Sequence, residues 1–318
     1  MQGHERLEKN VALLAFFMIS GYGIRKKQLK PSRYGEIAKN QAKLYLKPYL
    51  IVSLLATAGI FLQKVVSGHD PLEYTRANAL AYLLGISKST RIAGIEISEN
   101  VPMWFVMALF FGLLLTYGIL MIQNKKLQVS LGVGSFVIGY YMCCKGINLP
   151  FQITQSLIAA GCGCFGFWMR EDHFFEQDRS IYETLAMLFL WLASVRYGRN
   201  DLAYCEVMHP MLTIAGGLAG AILVIRFFLW LNQFQLKGLY PFMVMGRYTF
   251  WILCSHAVLF KIFPWNTFGR YFQKGSAEYA LVAILIHGIG IFICCICLKK
   301  ITYTWQSFRI RKQEQSAK

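Results

Sequence analysis

Charge is scarce in this chain, and acidic charge scarcest: 16 Asp and Glu stand against 33 Lys and Arg in 318 residues, and only 15% of residues are charged. A soluble domain carries nearer a quarter, so an ordinary water-facing surface is excluded. Cysteine is almost missing from the connections. Of the nine, only Cys205 lies outside an apolar segment; the others are Cys143, Cys144, Cys162, Cys164, Cys254, Cys294, Cys295 and Cys297. No pair has a partner loop suited to a disulfide framework, and no His stands at zinc spacing from them. Cys162-Gly163-Cys164 reads as small helix-packing residues. No HExxH, P-loop or GxGxxG occurs in a context that would make it work, which argues against metalloprotease, nucleotide-hydrolase and dinucleotide chemistry. A signal-peptide cleavage pattern is lacking too, since the first apolar run ends in a basic loop. There is no repeat, no low-complexity run and no long linker.

What is present is apolar length. Hydrophobic residues make up 56% of the chain. Nine stretches approach the roughly 20 apolar residues that span a bilayer: 10–24, 48–66, 101–122, 128–146, 150–170, 180–197, 209–231, 239–263 and 279–301. In lipid each backbone polar group needs an internal partner, so such a series means helices. The expected fold is an all-α polytopic transmembrane bundle of about nine spans, occupying 1–303, with a basic tail at 304–318. The shorter run Asn78–Ser87 reads as a re-entrant or interfacial segment.

The net charge of +17 is distributed by side of the membrane and gives no nucleic-acid patch. Arg25, Lys26, Lys27, Lys30, Arg33, Lys39, Lys43 and Lys47 face a lone Glu36. Between Ser67 and Asn100, Asp70, Glu73, Glu96 and Glu99 balance Arg76, Lys88 and Arg91. The positive-inside rule then places 25–47 and the basic tail in the cytoplasm and 67–100 outside, with anionic lipid headgroups as default partners. The expected location is the cell membrane, multi-pass, with a cytoplasmic C-terminus.

Ionisable groups within spans are the first functional candidates, because each is costly to insert. Arg247 and His256 share the span 239–263. Nine residues apart, they fall on opposite faces, whereas Thr249 and His256, seven apart, share one. A lone intramembrane His is either a satisfied packing residue or a reactive group. Arg226, near the inner end of its span, can snorkel, and His287 receives no role. Lys39, Lys43 and Lys47 recur every fourth residue and line one helical face. Such a face suits lipid phosphates or those of a nucleotide-like cofactor.

Five segments in order resemble the acyltransferase 3 family, integral membrane enzymes that O-acetylate extracytoplasmic sugars and glycans. FFMISGYGI (16–24) is similar to that family's second helix, and AKLYLKPYL (42–50) to the basic and Pro-Tyr opening of its third. VPMWFVMALF (101–110), LPFQITQSLIAAGCGCFGFWM (149–169) and GRYTFWILCSH (246–256) resemble its Trp-Phe, Leu-Pro-aromatic and late Gly-x-x-Thr…His segments. Together they cover nearly all of the chain except its start.

The resemblance implies ten helices, the first carrying an Arg and then a catalytic His. Here His4 stands in the corresponding place, with no helix or Arg ahead of it; either the gene begins upstream or the protein is shortened. It also implies acyl transfer from acyl-CoA, with acetyl-CoA the expected donor, to a hydroxyl of an outward-facing carbohydrate or glycolipid. His4 would be the base. Lys39, Lys43 and Arg247 would contact phosphate or thioester, and Ser20, Tyr22, Trp104, Thr249 and His256 would line the site. Lys43 replaces a frequent family Arg, which loses bidentate geometry. No metal is expected. Two other readings remain at this stage: an inactive shortened homologue, and a transporter or flippase, against which the lack of internal symmetry weighs.

Overall fold

The computed structural model describes residues 4–92, 94–100, 102–177, 180–234, 248–262 and 278–293, with positions 238, 240, 243, 246, 276 and 296. Arg247, the tail 304–318 and the ends of the expected spans 239–263 and 279–301 lie outside the described residues. The chain is an all-α membrane protein with two short hairpins. Its α-helices are α1 (His4–Tyr22), α2 (Tyr34–Gln41), α3 (Lys47–Val66), α4 (Pro71–Leu84), α5 (Trp104–Leu120) and α6 (Lys125–Cys144). They continue with α7 (Ile153–Glu171), α8 (Ile181–Tyr197), α9 (Pro210–Gln233), α10 (Thr249–Ile262) and α11 (Glu278–Ile293). Among the described residues, each expected apolar stretch contains α-helix.

Among the described residues, three helices are long and apolar enough to cross a membrane by themselves: the continuous Pro31–Val66, Lys125–Cys144 and Pro210–Gln233. Shorter apolar helices include Trp104–Leu120 and Glu278–Ile293. Local chemistry sets several starts. Asn124 accepts the Leu127 N–H at 3.2 Å to cap α6, and Ser180 accepts the Tyr182 N–H at 3.2 Å to cap α8. Pro210 opens α9 where its missing N–H is harmless.

The segment expected at Asn78–Ser87 is part of a longer helix, α4, which starts at Pro71 and ends at Leu84. Asp70 accepts the Leu72 N–H at 2.9 Å, so the Asp-Pro pair nucleates the helix upstream of the apolar run. Two antiparallel hairpins lie in connections: β1 (Thr90–Ile92) with β2 (Ile95–Ile97) between α4 and α5, and β3 (Arg199–Asp201) with β4 (Glu206–Met208) between α8 and α9. Their registers pair Arg91 with Glu96 and Asn200 with Val207.

Two compact units divide the chain, Met1–Tyr49 with Ala77–Leu236, and Leu50–Arg76 with Lys237–Lys318. In the first, α7 is the central helix, packed by α1, α5 and α6, while α9 packs on α8 and α1. Lipid gives no hydrophobic drive between helices, so close approach of small residues must hold them. A Cβ on Gly166 would lie 2.0 Å from the Met18 carbonyl oxygen, and one on Gly163 would lie 2.5 Å from Thr116 Oγ1. Cys162 and Cys164 are buried beside Gly163, so this tripeptide does pack helix on helix. On α8, by contrast, Tyr182, Leu185, Phe189 and Leu192 are exposed at helical spacing and form a lipid-facing stripe.

Connections of this unit gather at two ends. At one, the segment after α1 meets the end of α7, and Gln128 joins the α5–α6 turn to Trp168. At the other meet 85–100, 147–152 and the β3–β4 hairpin. In the second unit, Lys64 lies 3.8 Å over the Tyr74 ring, and Gly290 of α11 faces Leu259 of α10.

Candidate functional site

Around Tyr22, the end of α1 is built by α7. Arg170 donates to the carbonyls of Tyr22 at 3.1 Å and Ile24 at 3.4 Å, and its guanidinium lies 5.9 Å from the Tyr22 ring. A helix C-terminus leaves carbonyls without intrahelical partners, and a cation there also meets the negative end of the helix dipole. The Tyr22 ring packs edge-on against Phe175 at 5.7 Å, and Arg226 sits 5.2 Å from the neighbouring Phe174 ring. Lys26 and Glu171 form an ion pair. Ser20, two residues before Tyr22, donates to the Phe16 carbonyl at 2.8 Å and remains partly exposed.

The basic segment continues on this side. Tyr34 at the start of α2 donates to the Leu114 carbonyl at 3.2 Å, which sets α2 against α5. Arg33 and Glu36 pair at 3.1 Å, which raises the pKa of the first and lowers that of the second through hydrogen bond and charge. Lys39 and Lys43 are exposed. Ala42–Leu46 is a π-helix, with the Lys47 N–H bonding the Ala42 carbonyl. The regular α-helical face expected of Lys39, Lys43 and Lys47 is therefore interrupted. One i→i+5 turn shifts the register between them, and such turns recur at functional sites.

At the opposite end the polar groups are buried. Trp104 opens α5, is 5% exposed, and shares the core with Cys143, Leu202 and Cys205. Its N–H bonds the Asn100 carbonyl at 3.0 Å, and Asn100 Nδ2 donates to the Tyr49 hydroxyl at 2.9 Å. Tyr49 in turn donates to the Tyr82 carbonyl at 2.6 Å. Burial pushes the Tyr82 phenol up to about 12. Gln155 Nε2 donates to the Leu202 carbonyl at 3.0 Å and to Asn148 Oδ1 at 3.2 Å, while Gln152 donates to the Gly85 carbonyl. Asn148 donates to Ser87 at 2.9 Å, and Ser87 to the Ala203 carbonyl. Among the described residues, the buried amide oxygens Gln152 Oε1, Gln155 Oε1 and Asn100 Oδ1 find no donor. A donor from outside, such as a hydroxyl, would satisfy them. Phe151 and Gln152 hold φ of 58 and 57, left-handed values that bend the chain into α7.

One further pair, both free thiols, was not singled out from the sequence. Cys143 and Cys205, far apart in sequence, place their sulfurs 3.1 Å apart. Sequence reasoning also missed Arg170, Gln152, Gln155 and Asn148. Polar Gln at 152 and 155, at the start of an otherwise apolar helix, was the available signal.

The expected site residues are not all gathered. His4 and Tyr22 are the first and last residues of α1, about 27 Å apart along its axis and close to the hydrocarbon thickness. Thr249 and His256 belong to the second unit, on α10, where Thr249 donates to the Gly246 carbonyl at 2.9 Å. There the His256 ring lies 4.9 Å from His287, a residue given no role from sequence.

A family model described as an acyltransferase domain matches residues 11–299. No curated protein and no solved structure matches the chain. With the match covering nearly the whole chain, from 11 to 299, the chain belongs to the acyltransferase 3 family.

Proposed function

We propose that this protein is a multi-pass cell-membrane O-acyltransferase. It moves an acyl group, acetyl in our reading, from acyl-CoA on the cytoplasmic side to a hydroxyl of an extracytoplasmic carbohydrate or glycolipid. About nine helices cross the bilayer, with 25–47 and the C-terminus inside and 67–100 outside. Membrane lipids surround the bundle.

One observation carries the reading: the two ends of the first unit differ in chemistry. Lys39 and Lys43 stand exposed on the segment that follows Tyr22, which suits the phosphates of a CoA donor. At the other end the buried amide oxygens of Gln152, Gln155 and Asn100 meet no donor among the described residues, which suits the hydroxyls of a sugar.

The reaction needs few parts. The acceptor hydroxyl attacks the thioester carbonyl, an imidazole takes its proton, and the CoA thiolate leaves and is protonated. His4 is assigned as that base. Arg247, Lys39 and Lys43 are assigned to the donor. Ser20, Tyr22 and Trp104 in the first unit, and Thr249 and His256 in the second, are assigned to substrate contact, and a hydroxyl donor would steady the oxyanion.

The test is release of CoA thiol from acetyl-CoA by the purified full-length protein with a glycan acceptor. His4→Ala should abolish transfer while leaving the protein folded. Undiminished transfer would remove His4 from the mechanism, and absence of transfer in the unaltered protein would favour an inactive homologue.

A further inference from the structure

We propose that Cys143 and Cys205 are joined by a disulfide formed on the extracytoplasmic side. Cys143 lies in the last turn of α6 and Cys205 in the turn between β3 and β4, and their sulfurs are 3.1 Å apart. Both are buried free thiols here, at 0% and 4% exposure, in contact but not bonded. The remaining buried cysteines of this unit, Cys162 and Cys164, lie near the middle of α7, far from either end.

Cys205 is held for the bond from several directions. Gln155 donates to its sulfur at 3.3 Å, and the Ile147 carbonyl lies 3.8 Å from it. Its φ of 51 is a left-handed conformation that a side-chain-bearing residue adopts at a cost. A cross-link would keep that turn seated. It would also tie α6 to the hairpin linking α8 to α9, across a separation of 62 residues. Closing a long loop constrains the unfolded chain more than closing a short one.

The compartment supplies the chemistry. Both cysteines lie at the end that carries 85–100, so the inference rests on the proposed orientation. Disulfides persist outside the cytoplasm, where thiol–disulfide oxidant proteins act. One thiolate attacks the oxidant's disulfide to form a mixed disulfide, and the second displaces the oxidant as a dithiol. The pair loses two electrons and two protons, and the oxidant gains them. Because the folded pair is buried, the bond forms before the hairpin seats.

Full-length protein in its native membrane tests this. Free thiols are blocked with N-ethylmaleimide in denaturant, the protein is reduced, and newly exposed thiols are counted with a polymer-linked maleimide. Two thiols should appear only after reduction, and none in Cys143→Ser or Cys205→Ser. No new thiol in the unaltered protein overturns the proposal. An impermeant maleimide on Ser67→Cys separates the causes of failure. Labelling from outside with no reducible pair defeats the disulfide alone, whereas labelling only after permeabilisation defeats the orientation and the disulfide with it.

Discussion

Arg170, in the last turn of α7, closes the end of α1 by donating to the Tyr22 carbonyl at 3.1 Å. The contact joins two helices 148 residues apart in sequence and fixes the ring of the SGY motif beside Phe175. Arg170→Ala should leave both carbonyls short of a donor. A hydrogen bond to a charged group is worth about 1.5–3 kcal/mol, so the detergent-solubilised protein should unfold several degrees lower. Arg170→Lys should recover only part of this, since a point charge cannot reach both carbonyls. An unchanged melting temperature for Arg170→Ala would show that the contact holds nothing.

Gly166 and Gly134 make a paired test of helix packing. A Cβ at Gly166 meets the Met18 backbone at 2.0 Å, whereas one at Gly134 meets nothing within 4 Å. Gly166→Ala should force α1 off α7 and lower stability by about 1–3 kcal/mol or more. Gly134→Ala, inside α6, should raise it by up to about 1 kcal/mol through helix propensity. Thermal unfolding of the two variants side by side reads the contrast, and equal effects would contradict it.

Lys39 and Lys43 are exposed, so their removal should cost the fold less than about 0.5 kcal/mol. Under the proposed function they contact the donor's phosphates. Lys39→Ala with Lys43→Ala should raise the KM for acetyl-CoA about tenfold at near-constant kcat, the pattern of lost uniform binding. The increase should shrink as salt rises. A KM unchanged at low salt would assign these lysines to lipid.

The Tyr82 phenol gives the pH dependence a sign. Burial raises it from 10.0 to about 12. The unfolded chain therefore loses its proton first, and stability falls as pH rises from 10 to about 12, by about 2–3 kcal/mol. Below 10 this contribution is complete. Tyr82→Phe keeps the backbone carbonyl that Tyr49 uses and should flatten the alkaline limb, which a series of thermal melts would measure.

The helices were legible because apolar length is written directly in the sequence: among the described residues, each stretch from 10–24 to 279–301 holds α-helix. The true start of α4 was also present, in Asp70-Pro71, but apolarity drew attention to Asn78 instead. The π-turn at Ala42–Leu46 was not legible, because a single i→i+5 turn leaves the spacing of Lys39, Lys43 and Lys47 unaltered in the sequence. Nor was the Cys143–Cys205 approach, which depends on how α7 seats the β3–β4 hairpin through Gln155. The family's aromatic and glycine motifs were visible. Their partners, Arg170 for Tyr22 and Asn100 for Trp104, are single residues in other segments and become meaningful only once the helices pack.

Transfer across a sealed bilayer is the most direct measurement. Full-length protein is reconstituted into liposomes whose orientation is fixed by Ser67→Cys labelling, with labelled acetyl-CoA confined to the Lys39 side and the glycan to the other. Labelled glycan should appear opposite the donor, with CoA thiol released on the donor side. Label that stays in acetyl-CoA, or that reaches glycan only when both substrates share the donor compartment, would contradict the account.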